Sequence, residues 1–453
     1  MKLTFCGGAG VVTGANYLLE VGDKKFLIDC GLEQGETFSS EKNFESFPYD
    51  PGAIDALFVT HAHIDHVGRI PRLVKAGFHG AIFSTPPTKD FAELLLLDSE
   101  HLLAQEAERR HVPPLYTAAD VEEAMQAWKT VRYHVPIERG SLTVEFYDAG
   151  HILGSGSILI TAEGKKLVFS GDLGNTPAPF INPIEYFKDE PVDYALIESA
   201  YGNRVHEHVE ERKAMVAAAI EDTIRAQGVL MIPAFAMERT QEMIFEINEL
   251  VENKSIPKLP VFIDSPLAIK LTDIYKKYMG DKDYFNEEAR RLVAKGDKLF
   301  SFPGLTMTPT KDDSKRINDV PPPKIVIAGA GMSNGGRILH HEIRYLQDPK
   351  SMLLIVGYQA GGSLGSELEA GASSVTVLGE TIPVRAAVRT GNGYSAHADQ
   401  PQLMKWASSM SAHVKKIFVV QGDPDESAAL AEKIKSDLRI ETEVPTPGES
   451  VVL

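Results

Sequence analysis

The sequence predicts an α/β protein made of layered sheets and helices. Three observations predict it: short apolar strands punctuated by Gly and Asp, a long Leu-, Ala- and Glu-rich run free of Gly and Pro, and regular strand–helix alternation after Gly202. At 453 residues the chain has room for two to four domains of roughly 100–200 residues each, and 43% hydrophobic with 24% charged residues suits folding around large cores rather than disorder.

Taken in order, KLTFCGGAG, NYLLEV, a GDKK turn, FLIDCG and ALFVT read as successive strands of one sheet. A helix follows over Thr88–His111, where FAELLLLDSEHLLAQEAERR lacks any breaker, and a second over Ala118–Val131. The strands LTVEFYDAGH, SILITAE, KKLVFSGD and DYALIES then complete a layered α/β domain. Beyond Gly202 the order is a helix over Glu207–Gln227, the strand VLMIPAF, a helix over Glu238–Asn253, the strand PVFIDSP and another helix. After the polar TPTKDDSKRINDVPPP come the strand KIVIAGAG, the helix start GGRILHHEIRYL and the strand MLLIVGY, a βαβ pattern that implies a parallel sheet. The last segment gives the strand VRAAVRTG, the helix PQLMKWASSM, the strand KKIFVVQGD, the helix ESAALAEKIKSDL and a closing strand. The expected units are residues 1–204, 205–383 and 384–453.

With 46 Lys+Arg against 63 Asp+Glu, the net charge is −17. A surface so acidic excludes a basic nucleic-acid coat or a polybasic membrane binder, so a polyanion must be met at one local positive site such as a metal. Cys6 and Cys30 lie in apolar segments and read as free thiols of a reducing compartment. No apolar stretch approaches the ~18 residues of a spanning helix, and the N-terminus runs straight into a strand. The expectation is a soluble cytoplasmic protein without membrane contact.

The strongest chemical signal is His61-Ala62-His63-Ile64-Asp65-His66, directly after the strand LFVT. Residues two apart do not share a helix face, so the spacing suits a loop at a strand end that turns its side chains to one point. Three imidazoles and a carboxylate within six residues are donors of the kind that hold zinc, and they could be split between two metals. His151 in YDAGH and Asp172 in FSGD stand at equivalent places after strands, and Asp29 after FLI is placed to orient a ligand imidazole, or to serve as an ordinary turn residue.

With Asp29 ahead and His151 and Asp172 behind, HAHIDH resembles the metallo-β-lactamase superfamily. GGAGVVTGANYLLEV, LLLLDSEHLLAQEAE, IESAYGNR, IPAFAMERTQE, DSPLA, AGAGMSNGGRILHH, GYQAGGSLG and SAHADQ are similar to its β-CASP branch of RNA- and DNA-processing nucleases, which includes the cleavage-and-polyadenylation endonuclease and its bacterial homologues. The resemblance covers nearly the whole chain. It implies an αββα sandwich with an inserted βαβ-type β-CASP domain over 205–383. It further implies two Zn2+ per chain, with Mn2+ an alternative: His61, His63 and His151 on one ion, Asp65 and His66 on the second, and Asp172 bridging. Metal-activated water would then cleave a phosphodiester of single-stranded RNA, by endonuclease or 5′-exonuclease action. DNA is the lesser candidate, and a homodimer stays open. Glu198 corresponds to an acid that supports the site, and His397 in SAHAD to a general acid for the leaving group.

One position departs from the RNA-processing pattern: Gln421 stands where a His completes the second metal site. An amide oxygen is a weaker ligand than imidazole, so the second ion should be held less tightly. Phosphate contacts are expected from Ser333, Gly335, Gly336 and Arg337 in GMSNGGR and from Arg239. Two other functions remain: a nuclease-derived RNA-binding scaffold that has lost turnover through Gln421, and a small-molecule metallo-hydrolase. The inserted domain argues against the latter.

Overall fold

The computed structural model describes residues 1–34, 40–206, 209–357 and 359–453. Two compact units emerge, Met1–Val205 together with His397–Leu453, and His206–Ala396 inserted between them. The expected boundary at 383/384 therefore moves to 396/397. The reason is the strand Ala387–Thr390, which pairs in parallel with Met352–Ile355 and so belongs to the inserted sheet.

The first unit holds two seven-stranded sheets. In one the order is Ser450–Val452, Lys2–Gly7, Asn16–Val21, Lys24–Ile28, Ala56–Phe58, Ala81–Ser84, Trp128–Thr130. In the other it is Glu441–Glu443, Lys416–Val420, Tyr194–Glu198, Lys165–Phe169, Gly156–Ala162, Leu142–Asp148, Ile137–Arg139. The sheets face each other through Phe5 against Phe418, ring centroids 5.4 Å apart, and Tyr17 against Phe169 at 5.9 Å. Strands such as Ala56–Phe58 are buried along their whole length, as strands covered on both faces must be. The second sheet buries Val168, Ile197 and Val419 with Leu403 and Trp406 of the helix Gln400–Ser408 and Leu430 of Pro424–Lys433. This is the sandwich that the motifs implied.

The long helix spans Pro86–Arg110, begun by Thr85, whose hydroxyl accepts from Thr88 N, and ended by His111 in a left-handed conformation. The second helix stops at Ala127 rather than continuing to Val131. Trp128–Thr130 instead pairs with Ile82–Ser84 as an edge strand, where Trp128 is buried and its indole N–H donates to Ser84 Oγ (2.8 Å). Burial of that ring outweighs the helical propensity of the segment.

The inserted unit carries a six-stranded sheet, all parallel, in the order Leu305–Met307, Val261–Asp264, Lys324–Ala328, Val229–Pro233, Met352–Ile355, Ala387–Thr390. Its helices include Val209–Ala226, Arg239–Glu252 and Pro266–Tyr278; the expected helix start at Glu207 lies outside the described residues. Among the described residues no helix is long and apolar enough to cross a membrane, and both cysteines are free.

Strand direction positions the site. Lys24–Ile28 runs parallel to Ala56–Phe58, and Lys165–Phe169 to both Tyr194–Glu198 and, through it, Lys416–Val420. Leu142–Asp148 reaches the same direction through two antiparallel steps. The C-terminal ends within each sheet therefore open at one edge, and Asp29, His61, His151, Asp172, Glu198 and Gln421 lie at or just past such ends. Two close approaches hold the connecting loops. A Cβ at Gly31 would lie 1.5 Å from Asp65 O, and one at Gly174 would lie 1.6 Å from Gly150 O, distances that only glycine permits.

Gly31→Ala is expected to destabilise the protein by ~1–3 kcal/mol or more, because the methyl must displace the backbone that carries Asp65 and His66. The control Gly361→Ala, where an added Cβ meets nothing within 4 Å, is expected to be near neutral. Urea unfolding of the two variants checks this, and equal stabilities would contradict it.

Candidate metal centre

His61, His63, His151 and Asp172 each offer one donor atom, and the four atoms lie within 4.8 Å of one another. His63 Nδ1 is 3.1 Å from both His61 Nε2 and His151 Nε2. Asp172 Oδ2 is 3.4 Å from His61 Nε2 and 3.5 Å from His151 Nε2. A tetrahedral zinc with bonds near 2.0–2.1 Å sets its donors roughly 3.3–3.4 Å apart, so these spacings are those of a ligand shell. The protonation states agree. Burial, then the neighbouring His66, pushes His61 down; burial and His61 push His63 well down; burial and His397 do the same to His151. Burial raises Asp172, but His66, His61 and His397 more than offset that and hold it well below the usual carboxylate range. Three neutral imidazoles and one carboxylate thus converge with lone pairs available, and this donor set fits a divalent metal.

His66 sits beside this shell and differs from it. Burial lowers its imidazole, but Asp172 and Asp29 outweigh burial and raise it well above its ordinary value. Its Nδ1 lies 2.7 Å from Asp29 Oδ2 and its Nε2 3.2 Å from Asp172 Oδ1. Asp29 also accepts from Thr60 N and Thr60 Oγ1, each at 2.8 Å, and takes a positive φ of 57° to do so. The carboxylate thereby fixes the ring of His66 with Nε2 toward Asp172. Asp65 Oδ2 is 3.9 Å from His66 Nε2, and burial raises its carboxyl. Among the described residues no three His, Cys, Asp or Glu donor atoms that all lie within 4.8 Å of one another include one from Asp65 or His66.

Glu198 and His397 form a further group with Asp172. His397 Nδ1 is 3.2 Å from Glu198 Oε1 and 3.8 Å from Asp172 Oδ2. Glu198 is fully buried and accepts from Leu173 N (2.7 Å) and Ala200 N (3.2 Å). A short bridge between Gly174 and His397, with Ala398 N donating to Leu173 O (2.7 Å), brings the SAHAD segment to the Asp172 loop. Burial lowers His397, yet Glu198 and then Asp172 raise it to about 9. Burial also lifts Glu198 despite the imidazole beside it, so a buried carboxyl and a partly exposed imidazole share a proton at the margin of the four-donor cluster.

Three family models match the chain: the metallo-β-lactamase superfamily over residues 9–193, the Beta-Casp domain over 240–368 and the Zn-dependent metallo-hydrolase RNA specificity domain over 381–445. "Ribonuclease TTHA0252" of Thermus thermophilus is 35% identical over 435 residues, covering 95% of either chain. The chain belongs to the β-CASP branch of the metallo-β-lactamase superfamily. "Transcription termination factor FttA" of Methanosarcina mazei is 30% identical over all of this chain and 72% of that protein. "RNase J-like protein" of Methanocaldococcus jannaschii is 30% identical over 98% of each. A solved protein of unknown function from Enterococcus faecalis shares the fold at a TM-score of 0.59 and 14% identity, covering 100% of this chain and 99% of that one.

The expected phosphate contacts of this β-CASP chain all lie in the inserted unit, where Arg337, Ser333 and Arg239 also pair within the protein. Arg337 Nη1 donates to Asp264 Oδ1 and to Thr308 O, each at 2.7 Å, and Nη2 to Pro309 O at 3.1 Å. Asp264 is fully buried and also faces His341 Nε2 at 2.8 Å, so it needs the guanidinium as its counter-charge. Ser333 is buried and donates to Glu342 Oε1 (2.5 Å). Gly336 sits where a Cβ would meet Gly329 O at 2.2 Å, whereas one at Gly335 would meet nothing within 4 Å. Arg239 is buried, pairs with Glu242 and lies 5.3 Å from the Tyr394 ring.

Two contributors were not among the expected site residues. Thr60, whose Oγ1 is 3.1 Å from His61 Nδ1, was readable only as the residue before HAHIDH. Tyr17 donates to Gln421 Oε1 (3.3 Å) from a strand more than 400 residues away, and no spacing within GGAGVVTGANYLLEV singles it out.

In metal-free protein His397 is expected to titrate near 9 and, in Glu198→Gln, to fall toward 6.5, as followed by NMR of the histidine ring. Because its folded value is raised, its contribution to stability is complete below about 6.5 and is lost as pH rises through about 9. The variant should lack that alkaline loss; an unmoved titration would contradict the pairing.

Proposed function

We propose that the chain is a metal-dependent phosphodiesterase that cleaves single-stranded RNA, within the strand or from a 5′ end. The single observation that carries the reading is the four-donor cluster of His61, His63, His151 and Asp172 with the Glu198–His397 pair at its margin. His61, His63, His151 and Asp172 would hold Zn2+ or Mn2+. A bound cation there supplies a Lewis acid for the phosphate and acidifies water at neutral pH. RNA as the substrate is supported by the ribonuclease names of the relatives and by the RNA specificity model over residues 381–445.

The remaining roles belong to the chain itself. Asp29 and Thr60 are positioning residues that hold the imidazoles of His61 and His66. Glu198 keeps His397 charged by accepting from Nδ1, so that Nε2 is the atom from which a proton passes to the leaving oxygen. The acidic surface repels polyanions elsewhere, which confines the phosphate to this centre.

Protein loaded with Zn2+ or Mn2+ is expected to cut labelled single-stranded RNA. His61→Ala should lose metal and activity together, and His397→Ala should keep its metal while losing roughly 10²–10⁴-fold in rate. RNA bound but never cut by the loaded protein would instead support a scaffold, and loss of metal in His397→Ala would remove its role as an acid.

A further inference from the structure

The place beside the four-donor shell is bounded by Asp65, His66, Asp172 and Gln421, and the last of these is not disposed as a ligand. Gln421 is buried, its backbone N donates to Gly8 O (2.7 Å), and its φ of 50° turns the side chain inward from the end of Lys416–Val420. The amide nitrogen lies 3.0 Å from Asp172 Oδ1 and 3.0 Å from His66 Nε2. The amide oxygen points the other way and accepts from the Tyr17 hydroxyl at 3.3 Å.

Both ends of the amide are matched in this orientation: the NH2 donates to Asp172 Oδ1, and the oxygen accepts from the Tyr17 hydroxyl. Turning the amide over would set oxygen against oxygen at 3.0 Å and would take from the buried Tyr17 hydroxyl the acceptor it now has. Space is made for the pair as well: a Cβ at Gly8 would come within 2.8 Å of the Tyr17 hydroxyl and 3.3 Å of Gln421 Cγ.

An amide NH2 has no lone pair to give a metal, and its hydrogens carry positive partial charge at the spot where a cation would need a donor. Asp65 does not make up the deficit, since it joins no three-donor group among the described residues. We infer that the centre holds one metal ion, on His61, His63, His151 and Asp172, and that Gln421, keyed by Tyr17, fills the second place as a hydrogen-bond donor to Asp172. This rests on the metal site proposed above and replaces a pair of ions by one ion and an amide. Gln421 and Tyr17 are then positioning residues for the carboxylate that faces the ion.

The test counts metal in the whole protein. Wild type and Gln421→His are incubated with excess Co2+, desalted, and measured by native mass spectrometry and elemental analysis, with circular dichroism to verify folding. One ion per chain is expected in wild type and two in Gln421→His, with magnetic coupling in the cobalt EPR spectrum of the variant alone. Two ions retained by wild type, or a folded Gln421→His that stays at one, would overturn the inference. No ion in either protein would overturn the metal site itself, which separates that failure from this one. If the variant does not fold, the wild-type count still decides.

Discussion

The candidate site depends on a single buried carboxylate. Asp172 faces His61 and His151 through one oxygen, His66 and Gln421 through the other, and lies within 4 Å of His397. Burying such a group without partners is costly, and its neighbours in these contacts are imidazoles and an amide. The carboxylate thus fixes the polarity of its surroundings. On one side neutral imidazoles turn lone pairs inward as a set that fits a divalent metal, and on the other His66 and the Gln421 amide meet the second oxygen.

Much of this was legible in the sequence because it is local. HAHIDH packs four candidate donors into six residues, and the strand-end positions of Asp29, His151 and Asp172 follow from apolar runs that stop at Gly or Asp. The parallel inserted sheet was legible from strand–helix alternation, whose period needs no tertiary knowledge. Harder to read were features set by partners far away. Trp128–Thr130 looks helical until Ile82–Ser84 supplies a strand to pair with, and Ala387–Thr390 looks like part of the final segment until Met352–Ile355 does the same. The Tyr17 hydroxyl is marked by no spacing, since its role arises only when Gln421 is brought against it. Nor does the sequence show that Arg337, a guanidinium after two glycines, pairs with the buried Asp264, which lies more than 70 residues away.

The net charge of −17 and the buried acids of the site express one design. Asp29, Asp172 and Glu198 are all buried in the first unit, where His66, the Thr60 hydroxyl and His397 offset them in part. Such a cluster favours a cation, and a cation is what an otherwise repulsive surface needs to receive a phosphate. On the proposed reading, substrate selection and metal binding therefore share the same few side chains.

The most direct measurement is an anomalous-difference map from a crystal of the protein loaded with Zn2+, collected at the zinc edge. The account predicts a strong peak within bonding distance of His61, His63, His151 and Asp172 together. Zinc bound elsewhere, with no peak among those four donors, would contradict it.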